Sequence, residues 1–233
     1  MKDQANGRIR IIVFTALVMG LMFFFPLLFM LAWGLWGWWQ GWALAAWFNL
    51  MLLANIAAMA CLHPGLIRER LLPGRQGGGG ADRLLRWIFA LSALWLLAMP
   101  AAERFGWLGA ALPGWVLALG GAMLAASFVF LLGASVANPF LSTVIRLQQD
   151  RGQRVISHGV YAVVRHPQYL GIILLLLGAP ILAGSLPALL LGAAISAMLV
   201  RRIGPEEAML LGGLPGYAEY CQKLRWRLLP GVW

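Results

Sequence analysis

Charge is what this sequence has least of. No Asp, Glu, Lys or Arg occurs between Arg10 and Arg68, between Arg104 and Arg146, or between His166 and Arg201. Only 11% of the 233 residues are charged and 61% are hydrophobic, against about 25% charged in an ordinary soluble domain. That deficit excludes a soluble globular fold. The long runs do not alternate between apolar and polar residues, which excludes a membrane β-barrel and leaves helices as the spanning form. Cysteine is equally scarce: Cys61 and Cys221 are the only two, and they lie far apart. They offer no disulfide framework and no metal-ligand spacing, so no metal is expected. The glycine-rich stretch "GRQGGGGADR", residues 74–83, lacks both a preceding strand and a Gly-Lys-Ser/Thr ending. It reads as a flexible linker and not as a phosphate loop. At the N-terminus the run from Ile11 to Trp33 is too long for a signal-peptide core and has no clean cleavage site after it, so it is expected to be a retained helix.

What is present are apolar segments at about 11–33, 42–61, 84–101, 113–136, 168–182 and 186–203. Together they predict an all-α integral membrane protein with five to six transmembrane helices. The fifth and sixth segments read as short, and together they suggest a hairpin that spans obliquely. Tight turns fall at "GLWGWWQG" (34–41), Trp-rich as a membrane interface should be, and at "AGSLP" (183–187). No internal repeat and no domain boundary stand out. The chain is read as one membrane domain, 1–233, with an N-terminal helical hairpin over 1–61.

Net charge is +10, which in a soluble protein would raise nucleic acid as a partner. Here the cations are confined to short segments between apolar runs, so no nucleic-acid partner is expected. With the N-terminus in the cytoplasm, seventeen of the eighteen Lys and Arg residues fall on the inner side, and only Arg104 falls outside. Both termini and all three substantial polar segments, 62–83, 137–167 and 204–233, are then expected to be cytoplasmic.

Two clusters on that side carry chemistry. "HGVYAVVRHPQYLG", residues 158–171, holds two of three histidines, two of four tyrosines and an arginine. Pro167 disfavours helix at His166 and suits the first turn of a following helix. "RRIGPEEAML", residues 201–210, holds two of the five glutamates beside two arginines. Pro205 is expected to start a new helix with Glu206 and Glu207 in its first turn. Adjacent residues do not share a helix face, so these two should do different jobs. If instead the helix runs through Gly204-Pro205, Arg202 and Glu206 stand four apart and can pair. The tail, "GLPGYAEYCQKLRWRLLPGVW", is basic and aromatic, with Tyr217, Tyr220 and Trp226. It reads either as an amphipathic anchor or as a lid over a site built from the two clusters.

Together these motifs resemble the isoprenylcysteine carboxyl methyltransferase family, which is itself similar to the phospholipid N-methyltransferases. "SHGVYAVVRHPQYLG", a helical hairpin, and "RIGPEEAMLLGGLPGYAEYCQKLRWRLLP" follow that family's order and spacing over about 140–233. "HPGLIRERLLPG" and "NPFLSTVIRLQQDRG" resemble its prokaryotic branch. Val160 and Ala162 stand where the family often has Pro and Arg. The resemblance implies a membrane methyltransferase using S-adenosylmethionine and releasing S-adenosylhomocysteine, with a cytoplasm-facing cofactor pocket in the C-terminal region 140–233. It implies that His158, Tyr161, His166, Pro167, Tyr169 and Glu207 line the cofactor. It also implies that Arg165, Arg202 and Glu206 lie nearer the transferred methyl group. Which glutamate contacts the cofactor is left open. The partners implied are membrane lipids and a lipophilic acceptor, whether a carboxylate, a thiol or an amine. Two other functions compete: a non-catalytic membrane binding or assembly protein, and a sterol-type reductase using NADPH.

Overall fold

The computed structural model describes residues 33–66, 80–106, 112–141 and 146–233. The expected helix at 11–33 and most of the glycine-rich linker lie outside them. Among the described residues the chain is helical and contains no strand. Its helices are α1 (Trp39–Leu62), α2 (Gly80–Phe105), α3 (Gly114–Ala137), α4 (Pro167–Ala183), α5 (Leu186–Gly213) and the short α6 (Tyr217–Lys223). Local signals set several boundaries. Pro167 is the first residue of α4, as its sequence position predicts. Gly184 closes α4 at φ 67°, where only a residue without a Cβ sits comfortably. The Ser185 hydroxyl then accepts the Ala188 amide at 3.3 Å and caps α5.

Four helices are long and apolar enough to cross a membrane: α1, residues 86–105 of α2, α3 and α5. The protein is an integral membrane protein. α4 is apolar but has only 17 residues, about 26 Å at 1.5 Å per residue, short of a ~30 Å hydrocarbon core. The sixth expected segment is not short. α5 runs 28 residues without a break, straight through Gly204-Pro205, so no new helix begins at Pro205. Proline there removes the N–H that would bond the Arg201 carbonyl. Arg201, Gly204 and Pro205 are all exposed, so that carbonyl stays solvated and the interruption costs little. The opposite face, with Ile203 and Glu207 buried, is pinned in place.

In lipid there is no hydrophobic drive between helices, so association depends on close packing and interhelical hydrogen bonds. α4 packs against α3 and α5, α2 against α5, and α1 against α3. One junction shows why. Pro180, inside α4, cannot donate to the Leu176 carbonyl. The Trp95 indole N–H of α2 donates to it instead at 3.1 Å. Gly192 of α5 makes room, since a Cβ there would lie 2.1 Å from the Leu176 oxygen. The Ser127 hydroxyl of α3 donates to the Gly171 carbonyl at 2.7 Å, and the Trp47 indole of α1 to the Leu124 carbonyl at 3.1 Å.

These contacts run α1 parallel to α3, and α3, α4 and α5 successively antiparallel. The C-terminal ends of α1, α3 and α5 and the N-terminal end of α4 therefore meet at one end of the bundle. Residues 138–141 and 146–166, which follow α3, and the tail at 214–233 lie there.

The Gly192 junction yields a stability test. Gly192→Ala should lower the melting temperature in detergent by an amount corresponding to about 1–3 kcal/mol. Gly121→Ala, whose Cβ meets nothing within 4 Å, should not lower it. Equal melting temperatures for both variants would contradict the packing described.

Candidate functional site

The loop after α3, the start of α4, the end of α5 and the tail enclose a cleft of about 860 Å³, counting its open mouth. Asn138, Gln148, Arg154, Tyr161 and Arg165 come from the loop, and His166 and Tyr169 from the start of α4. Glu206 and Leu210 come from α5, and Tyr217 and Tyr220 from the tail. All four tyrosines of the chain line this one cleft. The two sequence clusters, some forty residues apart, therefore form one site.

Glu207 holds the parts together. Its side chain is 5% exposed and sits on the inner face of α5. Oε1 accepts from Arg165 Nε at 2.7 Å and from His166 Nε2 at 3.1 Å. Oε2 accepts from Arg227 Nε at 2.8 Å. A carboxylate only accepts, so His166 Nε2 carries the hydrogen of its bond. A carboxylate this deeply buried is tolerable only when paired and hydrogen-bonded, and here both oxygens are. Arg165 also donates through Nη1 to the Leu224 carbonyl at 3.0 Å.

Glu206, the next residue, faces the cleft and accepts the Tyr169 hydroxyl. The adjacent glutamates therefore do different jobs, as their helix positions predict. The Tyr169 ring stacks on His166, with centroids 5.6 Å apart and planes 10° apart. Because α5 is continuous, Arg202 stands one turn before Glu206, and it is buried.

The tyrosines are held as neutral donors and acceptors. Asn138 Nδ2 donates to the Tyr161 hydroxyl at 3.0 Å, and the Tyr220 hydroxyl donates to the Tyr161 carbonyl at 2.7 Å. Burial pushes the Tyr161 hydroxyl up to about 12, outweighing the Asn138 bond that lowers it. Burial likewise raises Tyr217 and Tyr220, with nearby negative or ionisable groups adding to it.

The residues expected at the site divide clearly. Tyr161, Arg165, His166, Pro167, Tyr169 and Glu206 line the cleft. Glu207 and Arg202 are buried beside it and do not line it. His158 is exposed and also lies outside the lining, at the start of the turn Gly159–Ala162. Of the tail's two expected roles, the lid fits Tyr217 and Tyr220, which are buried against the cleft, whereas Trp226 is exposed. Sequence reasoning did not single out Asn138, Gln148 or Arg154. The signal available was the amide-rich stretch "NPFLSTVIRLQQDRGQR" between two apolar runs. Arg151 stabilises that loop by donating to the Pro139 carbonyl at 2.9 Å and to Gln148. Gln148 in turn donates to the Phe140 carbonyl at 2.6 Å.

Residues 114–212 match the model of the isoprenylcysteine carboxyl methyltransferase (ICMT) family. Over that stretch the chain is similar to this family. The match covers α3, the cleft loop, α4 and nearly all of α5, and it stops before the tail. No curated protein matches the chain. The resemblance read from the cleft motifs is borne out over residues 114–212, and the family it points to suggests a membrane methyltransferase.

Two measurements test the site. Glu207→Gln leaves Arg165 as a buried cation without its carboxylate, which should cost on the order of 3–5 kcal/mol. It should also speed tryptic cleavage of the tail; an unchanged melting temperature and cleavage rate would contradict the role of Glu207. In an alkaline titration followed by tyrosinate absorbance, no more than one of the four tyrosines should ionise by about pH 10.5, against about three in the denatured chain. The raised values favour the protonated form in the fold, so their contribution is intact below about pH 10 and is lost as the pH climbs further. Two or more tyrosines ionising normally in the folded protein would contradict their burial.

Proposed function

We propose that the protein is an S-adenosylmethionine-dependent methyltransferase acting on a lipophilic carboxylate at the cytoplasmic face of the membrane. One observation carries this reading. The family-matched stretch and the tail after it build a cleft at one end of a membrane bundle, and the chain's four tyrosines, His166 and Glu206 converge in it.

These residues suit the donor. S-adenosylmethionine carries a sulfonium, an ammonium, a carboxylate, ribose hydroxyls and adenine. Tyrosine faces attract a sulfonium through the ring quadrupole. Glu206 can accept from an ammonium or from ribose hydroxyls, and Arg146 or Arg154 can hold a carboxylate. When bound, the donor supplies a methyl carbon activated by positively charged sulfur. The chain's own residues then align the acceptor with that carbon and exclude water.

The family match favours a carboxylate acceptor. Arg146, Arg154 and Arg165 line the cleft beside Glu206, with Arg146 paired to Asp150 at 3.2 Å and Arg165 to Glu207 at 2.7 Å. A carboxylate is nucleophilic at neutral pH and needs no general base. Arg165, which lines the cleft, is the side chain to orient it, with Glu206 beside the reacting groups and Arg202 buried one turn before Glu206. The excess of Lys and Arg in the polar segments supports cytoplasmic termini. The donor then arrives from the cytoplasm and the acceptor from the inner leaflet.

The test is methyl transfer from radiolabelled S-adenosylmethionine by the purified chain to a panel of lipophilic acids, thiols and amines. Base-labile counts on a long-chain acid, few on its short-chain analogue, and a loss of at least tenfold in Glu206→Gln would support the proposal. Base-stable counts would move the acceptor to a thiol or an amine. No transfer, with tight NADPH binding or no ligand binding, would overturn it in favour of a reductase or a binding protein.

A further inference from the structure

The tail lies beyond the family match, yet it is bonded to the cleft-lining loop along its length. The Tyr220 hydroxyl donates to the Tyr161 carbonyl at 2.7 Å, and Arg165 Nη1 to the Leu224 carbonyl at 3.0 Å. The Arg165 amide donates to the Trp226 carbonyl at 2.9 Å, and the His166 amide to the Arg227 carbonyl at 3.0 Å. Arg227 closes this set into a ring. Its carbonyl holds the His166 main chain, its Nε holds Glu207 Oε2, and Glu207 Oε1 holds the His166 imidazole. The guanidinium itself is fixed over the Trp233 ring, 5.0 Å from the centroid.

From this geometry we infer that Arg227 is a positioning residue for the methyl-donor site. It does not line the cleft and acts through Glu207 and His166. With Arg227 present, Oε2 is engaged, and Arg165 and His166 must share Oε1. Without it the carboxylate is free to turn and offer one oxygen to each. That turn moves His166, and with it the Tyr169 ring stacked at 5.6 Å, so the surface meeting the donor changes shape. Lysine would keep the charge but cannot reproduce a directed Nε bond together with flat stacking on an indole.

The role rests on the proposed donor, and calorimetry separates the two. S-adenosylhomocysteine is titrated into the full chain in nanodiscs for the wild type, Arg227→Ala, Arg227→Lys and, as a control, the exposed Arg225→Ala. A positioning role raises the dissociation constant about tenfold in Arg227→Ala and about threefold in Arg227→Lys, with stoichiometry near one, and leaves Arg225→Ala unchanged. A purely structural role lowers the stoichiometry while the dissociation constant stays at the wild-type value, and that result would overturn the inference. If Arg227→Ala does not fold, Arg227→Lys decides: weakened binding supports the role and wild-type affinity overturns it. A wild-type chain that binds no S-adenosylhomocysteine overturns the proposed function, and the role of Arg227 with it.

Discussion

One buried carboxylate organises the functional end of this protein. Glu207, on α5, is bonded by groups from two other places in the chain: Arg165 and His166 at the start of α4, and Arg227 in the tail. Ion pairs of this kind contribute little net stability relative to an apolar core, because desolvation offsets attraction. What they supply is direction. An apolar contact would let the tail slide, whereas a carboxylate with both oxygens engaged fixes the loop, the helix and the tail in a single arrangement.

That arrangement depends on the helices beneath it. A membrane interior does not tolerate unpaired backbone groups, and this bundle carries prolines inside its helices at Pro100, Pro180 and Pro205. Pro180 frees a carbonyl in the middle of the bundle, where Trp95 of a neighbouring helix takes it. Pro205 frees one at an exposed position, where α5 continues undisturbed. The continuation decides the site's geometry. It carries Glu206 towards Tyr169 and, 100° further round, Glu207 towards Arg165 and His166. A helix restarted at Pro205 would have changed that angle.

Much of this was legible in the residues. Charge-free runs locate the spans because a bilayer core admits so few charges. The helix start at Pro167 follows from the ring's fixed φ. The different jobs of Glu206 and Glu207 follow from helical periodicity. Continuity through Gly204-Pro205 was not legible, since both residues favour a break locally and only tertiary burial of Ile203 and Glu207 overrides them. Nor was the partnership of Arg227, twenty residues beyond Glu207, because its charge reads equally well as one more cation at a lipid surface. His158 shows the converse. A motif position predicts chemistry, and the local turn leaves the side chain exposed outside the cleft.

The most direct test of the account is an experimentally determined structure of the full chain with S-adenosylhomocysteine in a lipid nanodisc. The account predicts the ligand among Tyr161, Tyr169, Tyr217 and Tyr220, with Glu207 still bonded to Arg165, His166 and Arg227. Ligand bound elsewhere, or Glu207 turned out of that network with the tail detached, would contradict it.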